Sequence, residues 1–403
     1  MKPSRTLQIS LSLLTVFIFA CSLASVREGE NKIQKDFEST FRSAKHSQDA
    51  SFLVQSDRLN LRIKRSLGIS EDGKKVSSKD GDPPFHIASI GKLFTTVLIY
   101  QMVESKRISL DEPIANSLGN DLLKDLFVYE GIDYSAKVTV KHLLSHTSGI
   151  EDYFESKDQN KKAVLFEITE NPNKFWTPID LLNFTRINQK AVAPPGKKFH
   201  YSDTGYILLG LLLEKKYKQP FESILKERIL TPLAMDHTYM HLRSLPKNKS
   251  NLPLSKMMLG EADVTNFKSI SCDWAGGGIV STTEDLLLFQ KALVGGKLIS
   301  KETLASLPGN YLFMDGILYG NGMMTVDFSK MSIFIPSTPL LYGHSGVLGT
   351  LMFYSPEYDA HIIVNLGSTE DVGDSFELLF WIMDSLKEIH EIQKKETNSN
   401  TIR

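Results

Sequence analysis

The alternation of apolar and polar positions divides the chain into a β-type start, a helical middle and a β-type end. Ser51–Gln55 and Leu59–Ile63 carry β-branched residues in a period-two pattern, which predicts two strands. Asp72–Gly73 and the stretch Ser77–Pro84 supply turn residues after them. Ser89–Glu104 follows, with Leu93, Phe94, Val97, Leu98, Ile99, Met102 and Val103 on nearly all sides, the pattern of a buried helix. Val138–Ser145 reads as a strand edge or turn entering a helix that stops at Gly149. Tyr206–Tyr217 is a further apolar helix. Thr283–Leu293 is another, opened by Ser281-Thr282-Thr283-Glu284, which suits an N-cap followed by first-turn acids. Strand character returns at Ile333–Ile335, Thr350–Tyr354 and His361–Leu366, before an amphipathic helix at Glu377–Ile392.

Strands at both ends with helices between require the two ends to meet in one sheet. The predicted fold is α/β in the α+β sense: an antiparallel sheet flanked by helices, plus a mainly helical lobe. Residues 49–392 then form a single catalytic domain of two lobes, with Glu151–Lys190 and Leu242–Lys268 as loops on the cleft rim. Residues 25–48 are charged, with sparse apolar positions at Ile33, Phe37 and Phe41, and read as a linker passing into a surface helix. Residues 393–403 read as a polar, disordered tail.

Composition narrows the class. The 403 residues are 41% hydrophobic and 23% charged, values that allow a large core. A formal net charge of -1 gives no broad basic field, so nucleic acid is not an expected partner. The start is different. Met1–Arg5 is cationic, Leu7–Ala20 is apolar and shorter than a membrane span, and small residues follow. Residues 1–24 therefore read as a signal peptide or lipoprotein signal, and the protein as exported, periplasmic or attached to the cell envelope. Ile18-Phe19-Ala20-Cys21 resembles a loose lipoprotein box, in which a lipidated Cys21 provides membrane anchoring; Phe19 departs from the small residue usual there. Cys21 and Cys272 are the only cysteines, which leaves no disulfide framework and makes Cys272 a buried structural thiol.

Three segments carry candidate chemistry. In Ser89-Ile90-Gly91-Lys92 the three-residue spacing places the amine one helical turn from the hydroxyl. A serine is a weak nucleophile until a neighbouring base takes its proton, and a helix start adds free N–H groups and a favourable dipole for an oxyanion. The lysine has to be partly neutral for this, and desolvation by Phe85, Ile90, Leu93 and Phe94 is expected to lower its pKa. His200-Tyr201-Ser202-Asp203-Thr204-Gly205-Tyr206 places polar groups at a loop-to-helix junction, where they serve a cleft or cap the helix. Gly343-His344-Ser345-Gly346-Val347-Leu348-Gly349 lies beside strand-like sequence, an edge strand able to line a cleft, or a turn. His142 and His146 have the i,i+4 spacing of metal ligands, but no glutamate follows His142. Ala275–Gly278 lacks the Lys-Ser or Lys-Thr of a phosphate loop. No metal and no cofactor are expected.

In this order the segments resemble the serine β-lactamase-related hydrolases: class C β-lactamases, D-Ala-D-Ala carboxypeptidases and esterases of penicillin-binding-protein type. Val138–Gly149, Pro194-Pro195-Gly196, Leu208-Leu209-Gly210 and Ala275–Leu286 match further phrases, so the resemblance spans Phe85–Leu366. It implies an acyl-enzyme on Ser89, proton transfer shared by Lys92 and Tyr201, and an oxyanion hole from the N–H groups of Ser89 and Val347. His344, Ser345 and Gly346 would bind substrate, with Asp203 beside them. Two positions depart from the family pattern. Asp203 stands where asparagine is common, and a carboxylate accepts but does not donate. His344 replaces a lysine that would hold a substrate carboxylate, and histidine is mostly neutral near pH 7. Both favour an ester or an atypical peptide substrate, as an esterase or D-amino-peptidase, over efficient β-lactam hydrolysis. The alternative is a non-catalytic peptide-binding module on the same fold. Activity is expected to rise from neutral to mildly alkaline pH as Lys92 and Tyr201 lose protons.

Overall fold

The computed structural model describes residues 27–69, 75–78, 81–155, 162–332, 335 and 337–401. The signal segment, Cys21, the Asp72–Gly73 turn and all of the predicted strand at Ile333–Ile335 except Ile335 lie outside these residues.

The ends of the chain meet in one antiparallel sheet. Its strands are β1 (Asp49–Ser56), β2 (Leu61–Ile69), β3 (Lys75–Ser78), β4 (Tyr311–Met314), β5 (Ile317–Tyr319), β6 (Met324–Val326), β7 (Leu341–Gly346), β8 (Thr350–Ser355) and β9 (Ala360–Asn365). They run in the order β4-β5-β6-β7-β8-β9-β1-β2-β3. The junction is β1 against β9, with Ser51 opposite Asn365 and Ser56 opposite Ala360. Alternation explains why β1 is interior. Phe52 and Val54 enter the core on one face and Leu53 enters the core on the other, so both faces are covered.

One face is covered by α1 (residues 27–43) and α5 (Val372–Thr401). Ile33, Phe37 and Phe41 recur every four residues and are fully buried there with Leu378, Ile382 and Leu386. Phe37 packs on Phe52 with ring centroids 4.3 Å apart. The segment read as a linker and surface helix is thus part of the core, because its sparse apolar residues share one stripe. The final helix continues to Thr401, through the described part of the predicted disordered tail.

The helical lobe lies on the other face, around α2 (Gly91–Glu104), α3 (Asp203–Tyr217) and α4 (Thr283–Val294). α2 is buried over most of its circumference, as its composition requires, and Phe94 stacks on Phe289 of α4 at 3.8 Å. β3 occupies part of the stretch predicted as turn. The segment around His344 is an interior strand, β7, paired on both sides, and not an edge. Its turn character is confined to 347–349.

Candidate active site

Ser89 lies in a single 3-10 turn, Ala88–Ile90, that runs directly into α2. Ala88, just before it, has φ 48, the left-handed region that disfavours residues with a Cβ. The surroundings hold this conformation. The Ala88 N–H donates to His86 Nδ1 at 3.2 Å, and Thr350 Oγ1 donates to the Ile87 carbonyl at 3.0 Å. Gly277 and Gly346 press on the same turn: a Cβ on Gly277 would lie 2.6 Å from the Ala88 carbonyl oxygen, and one on Gly346 2.8 Å from the Ala88 Cβ. At Gly277 backbone meets backbone, and at Gly346 an added Cβ would also meet Thr350 Oγ1 and the Ile87 carbonyl oxygen, so both positions call for glycine.

α2 brings Lys92 beneath Ser89. Its Nζ donates to Ser89 Oγ at 2.9 Å, to the Gly276 carbonyl at 3.0 Å and to Asp203 Oδ1 in an ion pair. The side chain of Lys92 is fully buried. Tyr201 stands beside the pair: Lys92 Nζ lies 5.0 Å from the Tyr201 ring centroid, and Ser89 and Lys92 both act on the Tyr201 hydroxyl in the direction of its ionised form. The three residues read from sequence as the catalytic group therefore converge.

The expected charge state of Lys92 is corrected. Desolvation does push its pKa down, but Asp203, Tyr201 and Asp273 together outweigh it, and the net shift is upward. Tyr201 is likewise held above the ordinary tyrosine range, chiefly by burial. Both groups keep their protons through neutral and mildly alkaline pH, so their titration does not give the expected rise in activity there. Asp203 is not a substrate-facing group; it is the buried counter-ion of Lys92.

His344 is fully buried on the same face of the sheet. Its Nδ1 contacts the Ser345 carbonyl at 2.6 Å, which makes it the protonated nitrogen, so Nε2 accepts from the Tyr319 hydroxyl at 3.1 Å. Burial, with the Lys92 charge, holds its pKa down to about 3, so the ring is neutral. Ser345 is corrected as a site residue. Strand alternation turns its side chain to the opposite face, where the hydroxyl meets Met324 Sδ at 3.4 Å. Gly346 touches the nucleophile turn, and Val347 borders a pocket next to Ala88.

That pocket is mainly apolar. Phe154, with Leu165 and Ile168 on a helix at Val164–Glu170, comes from one segment expected as a rim loop, and Met257, Leu259 and Val264 come from the other. His86 and Asp273 are among its few polar residues.

Several groups here carry no signal in the sequence. Asp152, fully enclosed, accepts the N–H of Asp203 at 2.9 Å and of Glu155 at 2.9 Å, and burial holds its carboxyl well above the usual range. Burial raises Asp273 to about 7. His146 accepts the Ser202 N–H at 3.1 Å on Nδ1 and packs against Tyr201 with ring centroids 4.2 Å apart and the rings tilted. His142 instead closes the cap of its own helix through Thr139, so the two histidines do not share a ligand. Cys272 is buried and unpaired, as expected.

The model of the β-lactamase family matches residues 62–378. The chain belongs to the β-lactamase family. Among curated relatives it is similar to penicillin-binding protein 4* of Bacillus subtilis, at 28% identity over 256 residues, covering 60% of this chain. The chain spans 51% of that relative's length. Among solved structures it is similar to a D-stereospecific amidohydrolase from Streptomyces sp., with TM-score 0.69 and 24% identity over 86% of this chain and 97% of that one. It also resembles EstCE1, a hydrolase with promiscuous acyltransferase activity, with TM-score 0.67 and 17% identity over 89% and 99%. At these identities the structural neighbours establish the fold, which is that of the β-lactamases and penicillin-binding proteins. Membership of this family and this fold support a serine hydrolase.

Proposed function

We propose that the protein hydrolyses a neutral ester or amide with an apolar acyl part, through an acyl-enzyme on Ser89. The observation that carries this reading is the 2.9 Å hydrogen bond from Lys92 Nζ to Ser89 Oγ, beside the Tyr201 hydroxyl. Ser89 Oγ attacks the substrate carbonyl, and its proton passes into the cluster of Lys92, Tyr201 and Asp203. The developing oxyanion is held by the N–H groups of Ser89 and Val347, which lie on the two segments that meet at Ala88 and Gly346. One such donor contributes roughly 2.7–4 kcal/mol to the transition state. Tyr201 gives a proton to the departing oxygen or nitrogen, and water releases the acyl group.

The apolar pocket beside Ala88 and Val347 favours an apolar acyl group. Neutral His344 supplies no cation for a carboxylate, which supports esters and amides ahead of β-lactams. The Streptomyces sp. amidohydrolase is D-stereospecific, so D-amino amides belong in the substrate panel. The cationic and apolar start of the chain supports export, with Cys21 as the anchor; metabolic labelling with a radioactive fatty acid, lost on Cys21→Ala, tests that.

The function is tested by intact-mass spectrometry after exposure to aryl esters, D-amino amides, β-lactams and a fluorophosphonate. An adduct on Ser89, absent from Ser89→Ala, with turnover of at least one ester or amide is the expected result. A Ser89 that no reagent modifies, or turnover unchanged in Ser89→Ala, overturns the proposal.

A further inference from the structure

The Lys92 ammonium is placed as an acid toward Ser89. It has three N–H bonds, and its three acceptors are Ser89 Oγ, Asp203 Oδ1 and the Gly276 carbonyl. With all three donated, no lone pair faces the serine proton. Something must take a proton from Lys92 before Lys92 can take one from Ser89. Of the two other acceptors, a backbone carbonyl is not a base. The carboxylate is, and it sits on the far side of the same nitrogen.

We propose that Asp203 is the terminal proton acceptor of a Ser89–Lys92–Asp203 relay. This rests on the hydrolase reading above. As the bond from Ser89 Oγ to the substrate carbonyl carbon forms, the Ser89 O–H bond breaks and its proton moves to Lys92 nitrogen. In the same event Lys92 passes one of its own protons to Asp203 Oδ1. The charges balance: an ion pair and a neutral substrate become an oxyanion, an ammonium and a neutral carboxylic acid. When the intermediate collapses, the proton returns from Asp203 through Lys92 toward the leaving group.

The setting suits this transfer. The pair is enclosed, with side-chain exposures of 0% for Lys92 and 8% for Asp203. Burial narrows the gap between an ion pair and its neutral tautomer, because a desolvated charge is costly. The ionisable groups around the pair come from every packed element: Tyr201 and Tyr206 beside α3, Asp152 and Tyr153 after Gly149, Cys272 and Asp273 before Gly276, His146, and Tyr319 and His344 on the sheet. Asp152 is held toward its protonated form and His344 is neutral, and Asp203 is the carboxylate in direct contact with Lys92. The Asp203 N–H is fixed by Asp152 at 2.9 Å, which aims the side chain.

The test uses the full chain at one pH near 7.5, with fluorophosphonate labelling of Ser89 and ester turnover as readouts. Asp203→Asn keeps the shape and removes the base, Asp203→Ala opens room for an added acid, and Asp203→Glu keeps the carboxylate. The expected result is a fall of at least about 50-fold in both readouts for Asp203→Asn and Asp203→Ala, with Asp203→Glu between these and the wild type. Formate should restore Asp203→Ala at least about tenfold and saturably, and formamide, of the same shape, should not. Thermal unfolding of each variant establishes that it is folded; if Asp203→Ala is not, Asp203→Asn decides alone. Equal labelling of Asp203→Asn and wild type overturns the relay, as does a folded Asp203→Ala that gains nothing from formate or as much from formamide. A wild-type Ser89 that neither labels nor turns over ester is the separate failure of the hydrolase reading.

Discussion

Gly346 rests on Ala88: a Cβ on the glycine would stand 2.8 Å from the Ala88 Cβ and 2.9 Å from the Ile87 carbonyl oxygen. This contact docks the sheet onto the nucleophile turn and brings the Ser89 and Val347 segments together. Gly277 supports the same turn from the helical lobe, where an added Cβ would meet Ala88 backbone at 2.6 Å. Backbone cannot rotate away as a side-chain tip can. Gly277→Ala and Gly346→Ala are therefore expected to lower stability by about 1–3 kcal/mol and ester kcat by at least about tenfold, with the fold retained. Denaturant unfolding and steady-state kinetics check both. An unchanged kcat would show that the turn tolerates movement.

The Lys92–Asp203 pair is expected to behave as a buried ion pair in stability measurements. Lys92→Met leaves the Asp203 carboxylate enclosed without its cation, at a cost of about 3–5 kcal/mol. Lys92→Met with Asp203→Asn removes both charges and should recover most of that loss while staying inactive. Urea unfolding of the two singles and the double forms the cycle. A near-additive result would mean that the pair is not coupled.

Neutral His344 sets an expectation for substrate charge. A family lysine at this position would give a carboxylate a charge-assisted hydrogen bond of about 1.5–3 kcal/mol, roughly 10- to 150-fold in kcat/KM. Neutral aryl esters should accordingly exceed a chromogenic cephalosporin by about that ratio or more. Comparable kcat/KM values for the two would contradict the assignment.

Stability should fall as pH drops from about 6.5 toward 4. Burial lowers His86 and His344 to about 3 and His241 and His361 to about 4, all below the unfolded value of 6.5. Between those values the unfolded chain binds the extra protons, so acid favours unfolding. Asp273 acts in the opposite sense. Its raised pKa of about 7 lets the native state take a proton first, which adds stability as pH falls from about 7 toward 3.8. Asp152, raised in the same direction, does likewise. Asp273→Asn should therefore steepen the loss of Tm on acidification. Thermal scans from pH 7.5 to 4.5 measure the slope, and a shallower slope in the variant would reverse the sign argued here.

Much of the site was legible along the chain because its chemistry is local. The three-residue spacing from Ser89 to Lys92 is a property of one helix turn, and Tyr201 lies at a helix start that its neighbours announce. The apolar runs of α2 and α3 likewise announced burial. The short strands β4 to β6 were not found, since three or four residues leave too little period to read. Ser345 was misplaced because alternation about His344 depends on which face of β7 is covered. Residues 25–48 were read as a linker passing into a surface helix; the helix is present over 27–43 but its stripe is buried, because three apolar residues among many charges look like a surface until a sheet is there to receive them.

The amino-acid sequence alone pointed to Ser89 and its nearby amine, to the family and to the meeting of the two ends in one sheet, since these depend on short spacing and strong periodicity. Tertiary structure decided the charges. An aspartate reads the same whether it faces water, as Asp57 does, or lies enclosed against Lys92, as Asp203 does. Ionisation depends on solvent exclusion and on partners more than a hundred residues away, and only the packed chain supplies both.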